Sequence, residues 1–285
     1  MDQHAVLQWH IDMGCDECIA DEPINRFETS AQAAAAAAAR LPKDSSPPSA
    51  AMDRPSERPS GSSTAAMPAT TRGTKTSAAE IDSQLQISNA QHAAENAKTI
   101  DELRAAIEAF EGCALKKTAT NLVLCDGPAD AKLMLVGEAP GAEEDRQGLP
   151  FVGPSGQLLN AMLESIGIDR ADAMISNSVF WRPPGNRTPT TQETIVCRPF
   201  IERLIEIVHP QVLVCVGAPS AHNLLGETQG ISRLRGKWYT YQTPKIAAPI
   251  NATALFHPAY LLRTPIKKRD AWQDLLMIRR KLVGD

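Results

Sequence analysis

Four side chains in this sequence could act together on a planar ring: the carboxylate of Glu138, the aromatic ring of Phe151, the amide of Asn177 and the imidazole of His257. An amide can pair with both a carbonyl and an N–H of a ring edge. An aromatic can stack on the ring face. An imidazole can stabilise negative charge that develops on a ring oxygen. A carboxylate can hold water or face a developing cation. Glu138 directly follows Leu133-Met134-Leu135-Val136-Gly137 and precedes Ala139-Pro140-Gly141, where a strand cannot continue. The small residues Gly137, Ala139 and Gly141 would let a ligand approach the backbone. Taken singly, each residue has an ordinary reading too. Glu138 reads as a surface carboxylate at a strand exit, Asn177 as an amide that satisfies a loop, His257 as a strand end before proline, and Phe151 as core.

The elements that must position them follow from apolar periodicity. The unbroken apolar run Leu133–Val136, just before Glu138, reads as a strand buried on both faces, and Ala173–Val179, Val212–Gly217 and Thr253–Phe256 read as further strands. Helical patterns lie between them, over 155–166, 191–208 and from 220, with a terminal helix over 268–282. Thr99, with Asp101 and Glu102 behind it, opens a further helix carrying Leu103, Ile107 and Phe110. Alternation of strand and helix predicts an α/β fold: a three-layer α/β/α sandwich on a short four-stranded parallel sheet. Parallel strands end at one edge, so Glu138, Asn177 and His257 converge there, where such sheets place their ligand sites.

Composition bounds the rest. The net charge of −4 argues against a basic coat over the whole chain, yet residues 231–285 carry 11 Lys/Arg against 3 Asp/Glu. That imbalance is compatible with one surface for an anionic partner. Six scattered cysteines look like reduced thiols, and no apolar run suits a membrane span, which predicts a cytoplasmic protein. Residues 28–95 are rich in Ala, Pro, Ser and Thr and read as a disordered tether. Residues 1–27 carry a short amphipathic pattern, either a docking segment for a protein partner or a helix that returns to the domain at 96–285. No Gly-x-x-x-x-Gly-Lys-[Ser/Thr] or Gly-x-Gly-x-x-Gly phosphate loop is present, which counts against a nucleotide-binding enzyme.

From about Leu103 to Leu282 the chain resembles the family 4 uracil-DNA glycosylases. The segments that carry the resemblance begin with Gly137-Glu-Ala-Pro-Gly141, Glu144-Asp145, Pro150-Phe-Val-Gly153 and Gly156-Gln-Leu-Leu159. They continue with Asn177, Arg182-Pro-Pro-Gly-Asn-Arg187, Leu234-Arg-Gly-Lys-Trp238 and His257-Pro-Ala-Tyr-Leu-Leu-Arg263. The resemblance implies hydrolysis of the N-glycosidic bond of uracil in DNA, leaving abasic DNA. It implies Glu138 and His257 as catalytic and Gly137, Ala139, Phe151 and Asn177 as uracil-binding. It places Gly141, Ser155, Arg187, Tyr260 and Arg263 against DNA. A branch of the superfamily that becomes trapped on DNA carries an inserted basic loop with a His. Residues 177–189 have neither, so turnover is expected, by a monomer. The competing reading is a uracil- or abasic-DNA binding protein with little catalysis.

In one respect the chain departs from that family, whose members hold a [4Fe–4S] cluster on four cysteines. Cys113 and Cys197 match two ligand positions, whereas Phe110 and Trp181 stand at the other two. Two thiolates cannot hold a four-iron cluster. The sequence therefore predicts no cofactor and no metal, with Phe110 and Trp181 filling the space.

Overall fold

The computed structural model describes residues 78–284, with side chains from residue 82 onward. The segment 1–27 and residues 28–77 of the expected tether lie outside the described residues. Residues 78–95 do not continue that tether. They belong to α1 (Ala78–Asn96), which buries Ala90 and Ala94. Then come α2 (Ile100–Ala109), β1 (Cys125–Asp126), β2 (Leu133–Gly137), α3 (Ala142–Gln147), α4 (Pro154–Glu164) and β3 (Ala173–Asn177). The chain continues through α5 (Thr191–Val208), β4 (Val212–Val216), α6 (Ala218–Leu225) and α7 (Ile231–Leu234). It ends with β5 (Tyr239–Tyr241), β6 (Ile250–Leu255), α8 (Pro258–Arg263) and α9 (Lys268–Val283). Thr99 caps α2 as its sequence suggests, its side chain accepting from the Glu102 N–H.

The sheet has six strands in the order β1-β3-β2-β4-β6-β5. Its four inner strands are the predicted ones and run parallel. The expected four-stranded sheet is extended by two short antiparallel edges, β1 on β3 and β5 on β6.

Alternation along the strands builds the two cores. Met134, Val136, Met174, Leu213 and Cys215 face one apolar layer with Leu103, Ile107, Phe200 and Leu204 of α2 and α5. Leu133, Leu135, Ile175, Val212 and Val214 face the other, with Leu159, Leu163, Leu275 and Ile278 of α4 and α9. Each such buried side chain is worth about 1.5–3 kcal/mol relative to exposure. The result is a three-layer α/β/α sandwich whose parallel strands all end on one side. Among the described residues no helix is long and apolar enough to cross a membrane.

Candidate active site

A cleft of about 740 Å³ opens where the parallel strands end. Glu138, Ala139, Gly141, Phe151, Ser155, Asn177, Arg187, His257, Tyr260 and Arg263 line it, each singled out from sequence. Gly137 lies directly behind them. It pairs with Asn177 in the β2–β3 register. A Cβ on Gly137 would meet Asn177 Oδ1 at 2.4 Å and the Phe151 ring at 2.7 Å. The glycine is therefore required by the close approach of the amide and the aromatic ring.

Phe151 and Asn177 are 5% and 2% exposed. Phe151 sits at φ 52°, a left-handed backbone that a bulky residue adopts only when its surroundings impose it. Glu144, from the first turn of α3, joins this loop to the Glu138 loop. One of its carboxylate oxygens accepts from Val152 N at 3.0 Å and Gly153 N at 2.9 Å, and the other from Gly141 N at 3.1 Å.

His257 follows β6 and caps α8, its Nδ1 accepting from the Ala259 N–H at 3.1 Å. A backbone N–H can only donate, so Nδ1 carries no proton and the neutral ring carries its proton on Nε2. Burial, with the Arg263 cation adding to it and Glu144 opposing, lowers the imidazole from 6.5 to about 4. His257 is thus a neutral donor near pH 7. Its ring lies 5.6 Å from that of Phe151, tilted by 32°.

Glu138 leaves β2 with one carboxylate oxygen, Oε1, buried and without a protein partner. Burial raises its carboxyl above the usual range, and the Thr188 hydroxyl partly offsets this. Its free lone pairs suit a water or a developing positive charge.

Arg187 also lines the cleft, but its guanidinium already grips Glu193 at 2.7 and 2.8 Å. That pair holds the Glu193 carboxyl down at about 2. Arg187 therefore anchors its loop to the start of α5. Tyr260 packs its ring 5.1 Å from Phe256. Ser155 lies in the first turn of α4, and Arg263 ends α8 in solvent.

Sequence reasoning passed over Thr188 as a neighbour of Glu138, and Arg170, which bonds the Phe151 backbone. Both lie on turns without periodicity, so only the Arg187-Thr188-Pro189 junction beside a family segment hinted at the first.

Fold and cleft together define an α/β protein that can hold a planar base at the carboxyl edge of a parallel sheet, between a donor, an amide and a carboxylate. The Uracil DNA glycosylase superfamily profile matches residues 125–276, and the chain belongs to that superfamily. It is 37% identical over 185 residues to a type-4 uracil-DNA glycosylase of Archaeoglobus fulgidus, covering 64% of this chain and 92% of the relative. It is 41% identical over 152 residues to that of Thermotoga maritima, covering 53% and 77%. The corresponding protein of Pyrobaculum aerophilum is 35% identical over 182 residues, covering 62% and 92%.

These relatives overturn the expectation that the protein lacks a cofactor, because type-4 uracil-DNA glycosylases are [4Fe–4S] proteins. In this chain Cys113 and Cys197 come within 4.0 Å of each other, sulfur to sulfur, both buried. Phe110 and Trp181 occupy the same apolar layer, where two further thiols were implied. Cys125 and Cys215 are the other described thiols, and no group of three metal-binding side chains forms among the described residues. Cys15 and Cys18, which the sequence spaces as a Cys-x-x-Cys pair, lie outside the described residues.

Proposed function

We propose that the cleft hydrolyses the N-glycosidic bond of uracil in DNA, with its four convergent side chains in separate roles. The protein is a uracil-DNA glycosylase by its family and relatives, and the geometry of the cleft supports the roles. A base inside a duplex is out of reach, so it must be turned out of the stack at a cost of a few kcal/mol. Stacking on the buried Phe151 ring returns about 1–3 kcal/mol. The Asn177 amide reads the uracil edge, and cytosine would leave its buried donors and acceptors mismatched. As the bond breaks, negative charge gathers on the uracil ring, and the Nε2–H of His257 donates to the oxygen that receives it. Glu138, with its unpartnered oxygen, orients the attacking water and faces the positive charge on the sugar.

The observation that carries this reading is the neutral, tautomer-fixed His257 beside Phe151 and Asn177. A neutral donor strengthens as negative charge grows, without a proton having to be delivered first. Uracil-containing DNA is the substrate and abasic DNA the product. The described cysteines are free thiols, which supports a reducing compartment, the cytoplasm. A single-uracil oligonucleotide incubated with the protein and cleaved with alkali is expected to break at the uracil alone. A control strand with cytosine at that position is expected to stay intact. An uncut uracil strand to which the protein nevertheless binds would replace this reading with that of a uracil-binding protein.

A further inference from the structure

We infer that Arg170 is a positioning residue for excision, fixing the backbone on both sides of Phe151 and through it the face on which uracil stacks. The inference rests on the reading of Phe151 as the stacking ring.

Arg170 lies on the turn that leads into β3, outside the residues that line the cleft. Its Nη2 donates to Pro150 O at 2.7 Å and its Nη1 to Phe151 O at 3.0 Å. Nη1 also donates to Asn160 Oδ1 of α4 at 2.9 Å. Nε and Nη2 reach Asp126 Oδ2 of β1 at 3.1 and 2.9 Å. A guanidinium has five N–H groups in a fixed fork, and these contacts use all five. The two carbonyls belong to the two peptide planes that flank Phe151, and the N–H of the second plane, on Val152, is held by Glu144. With both planes held, the φ and ψ of Phe151 are set. That explains how a phenylalanine keeps φ 52°. The carbonyl of Phe151 also rests against Gly156 of α4, where a Cβ would lie 1.8 Å from it. The backbone thus has no room on one side and a full set of donors on the other. Asp126 and Asn160 keep the fork from rotating away.

The test uses single-turnover excision by saturating full-length protein on a single-uracil oligonucleotide. It compares wild type, Phe151→Ala, Arg170→Gln and the double variant, with thermal midpoints measured alongside. Arg170→Gln is expected to slow excision about 10- to 100-fold at a temperature where it is folded, since misplacing a contact by ~1 Å costs on the order of 10². In the Phe151→Ala background the same change should cost little more, because the ring it positions is gone. Arg170→Lys keeps the charge but not the fork and should remain slow. Wild-type speed in either Arg170 variant, or a loss that multiplies fully with that of Phe151→Ala, overturns the inference. If Arg170→Gln does not fold, Asp126→Asn takes its place. A rate loss that vanishes in the Phe151→Ala background supports the inference, and an unchanged rate or a persistent loss counts against it. Wild-type excision by Phe151→Ala would overturn the stacking role and this inference together, whereas failure of the Arg170 variants alone leaves the stacking role standing.

Discussion

The two walls of the cleft are built differently. The wall made by Gly137, Phe151 and Asn177 is buried, and its backbone is tied by Glu144 and Arg170 from two separate elements. The rim, residues 182–189 and the end of α8, carries Arg187, Leu262 and Arg263 into solvent. Arg182 bonds Asn186 within the same loop, and the Arg187–Glu193 pair anchors that loop to α5. The contrast suits two kinds of ligand surface. A base must be read to a fraction of an ångström, so its wall has no freedom. A sugar-phosphate strand is recognised by charge and tolerates adjustment.

This comparison can be broken most severely at the glycines of the buried wall. Gly156→Ala would push a methyl into the Phe151 backbone at 1.8 to 2.9 Å, where no flexible side chain can yield. A loss of about 3 kcal/mol of unfolding free energy is expected, at the upper end for overpacking, and denaturant titration checks it. Gly137→Ala meets the ends of two side chains instead. It should fold with a modest loss of stability but displace Asn177 and Phe151, lowering single-turnover excision on the order of 10².

A further test is pH. His257 is lowered from 6.5 to about 4, chiefly by burial. As pH falls below about 6.5 the unfolded chain takes up a proton that the folded chain refuses until about 4, so this contribution is complete above 6.5 and lost progressively across that window. The loss should reach roughly 3 kcal/mol by pH 4. Unfolding at a series of pH values should show this slope in the wild type and a weaker one in His257→Ala.

The smallest effect is expected on the exposed rim. Arg263→Ala should weaken DNA binding several-fold, alike for different sequences, and reduce the salt slope by about one counterion. The excision rate at saturating enzyme should stay near wild type. A large drop in that saturated rate would show that the rim belongs to the chemistry after all.

How much of this was legible in the sequence depended on the kind of signal. The inner strands β2 and β4 were plain because strands buried on both faces are written as unbroken apolar runs, here Leu133–Val136 and Val212–Val216. The common edge of the four inner strands placed Glu138, Asn177 and His257 together. The edges β1 and β5 are two and three residues long, too short to carry a period. Helix α1 was hidden because it packs through alanines, Ala90 and Ala94, which carry little apolar area and resemble the Ala-rich segment before them. The Arg170 fork was unreadable because it joins residues 10 to 44 positions apart across turns. The expectation of no cofactor rested on Phe110 and Trp181 at two ligand positions, and the type-4 relatives, which are [4Fe–4S] proteins, contradict it.

The central claim, that a neutral imidazole at the end of β6 drives release of the base, is tested most directly by single-turnover excision with His257→Ala. The measurement uses saturating enzyme on a single-uracil oligonucleotide and includes binding to the same strand. The expected result is a fall of about 10²–10³ in rate, or roughly 3–4 kcal/mol, with affinity for uracil DNA nearly unchanged. Excision at the wild-type rate would contradict the account and reduce His257 to the cap of α8.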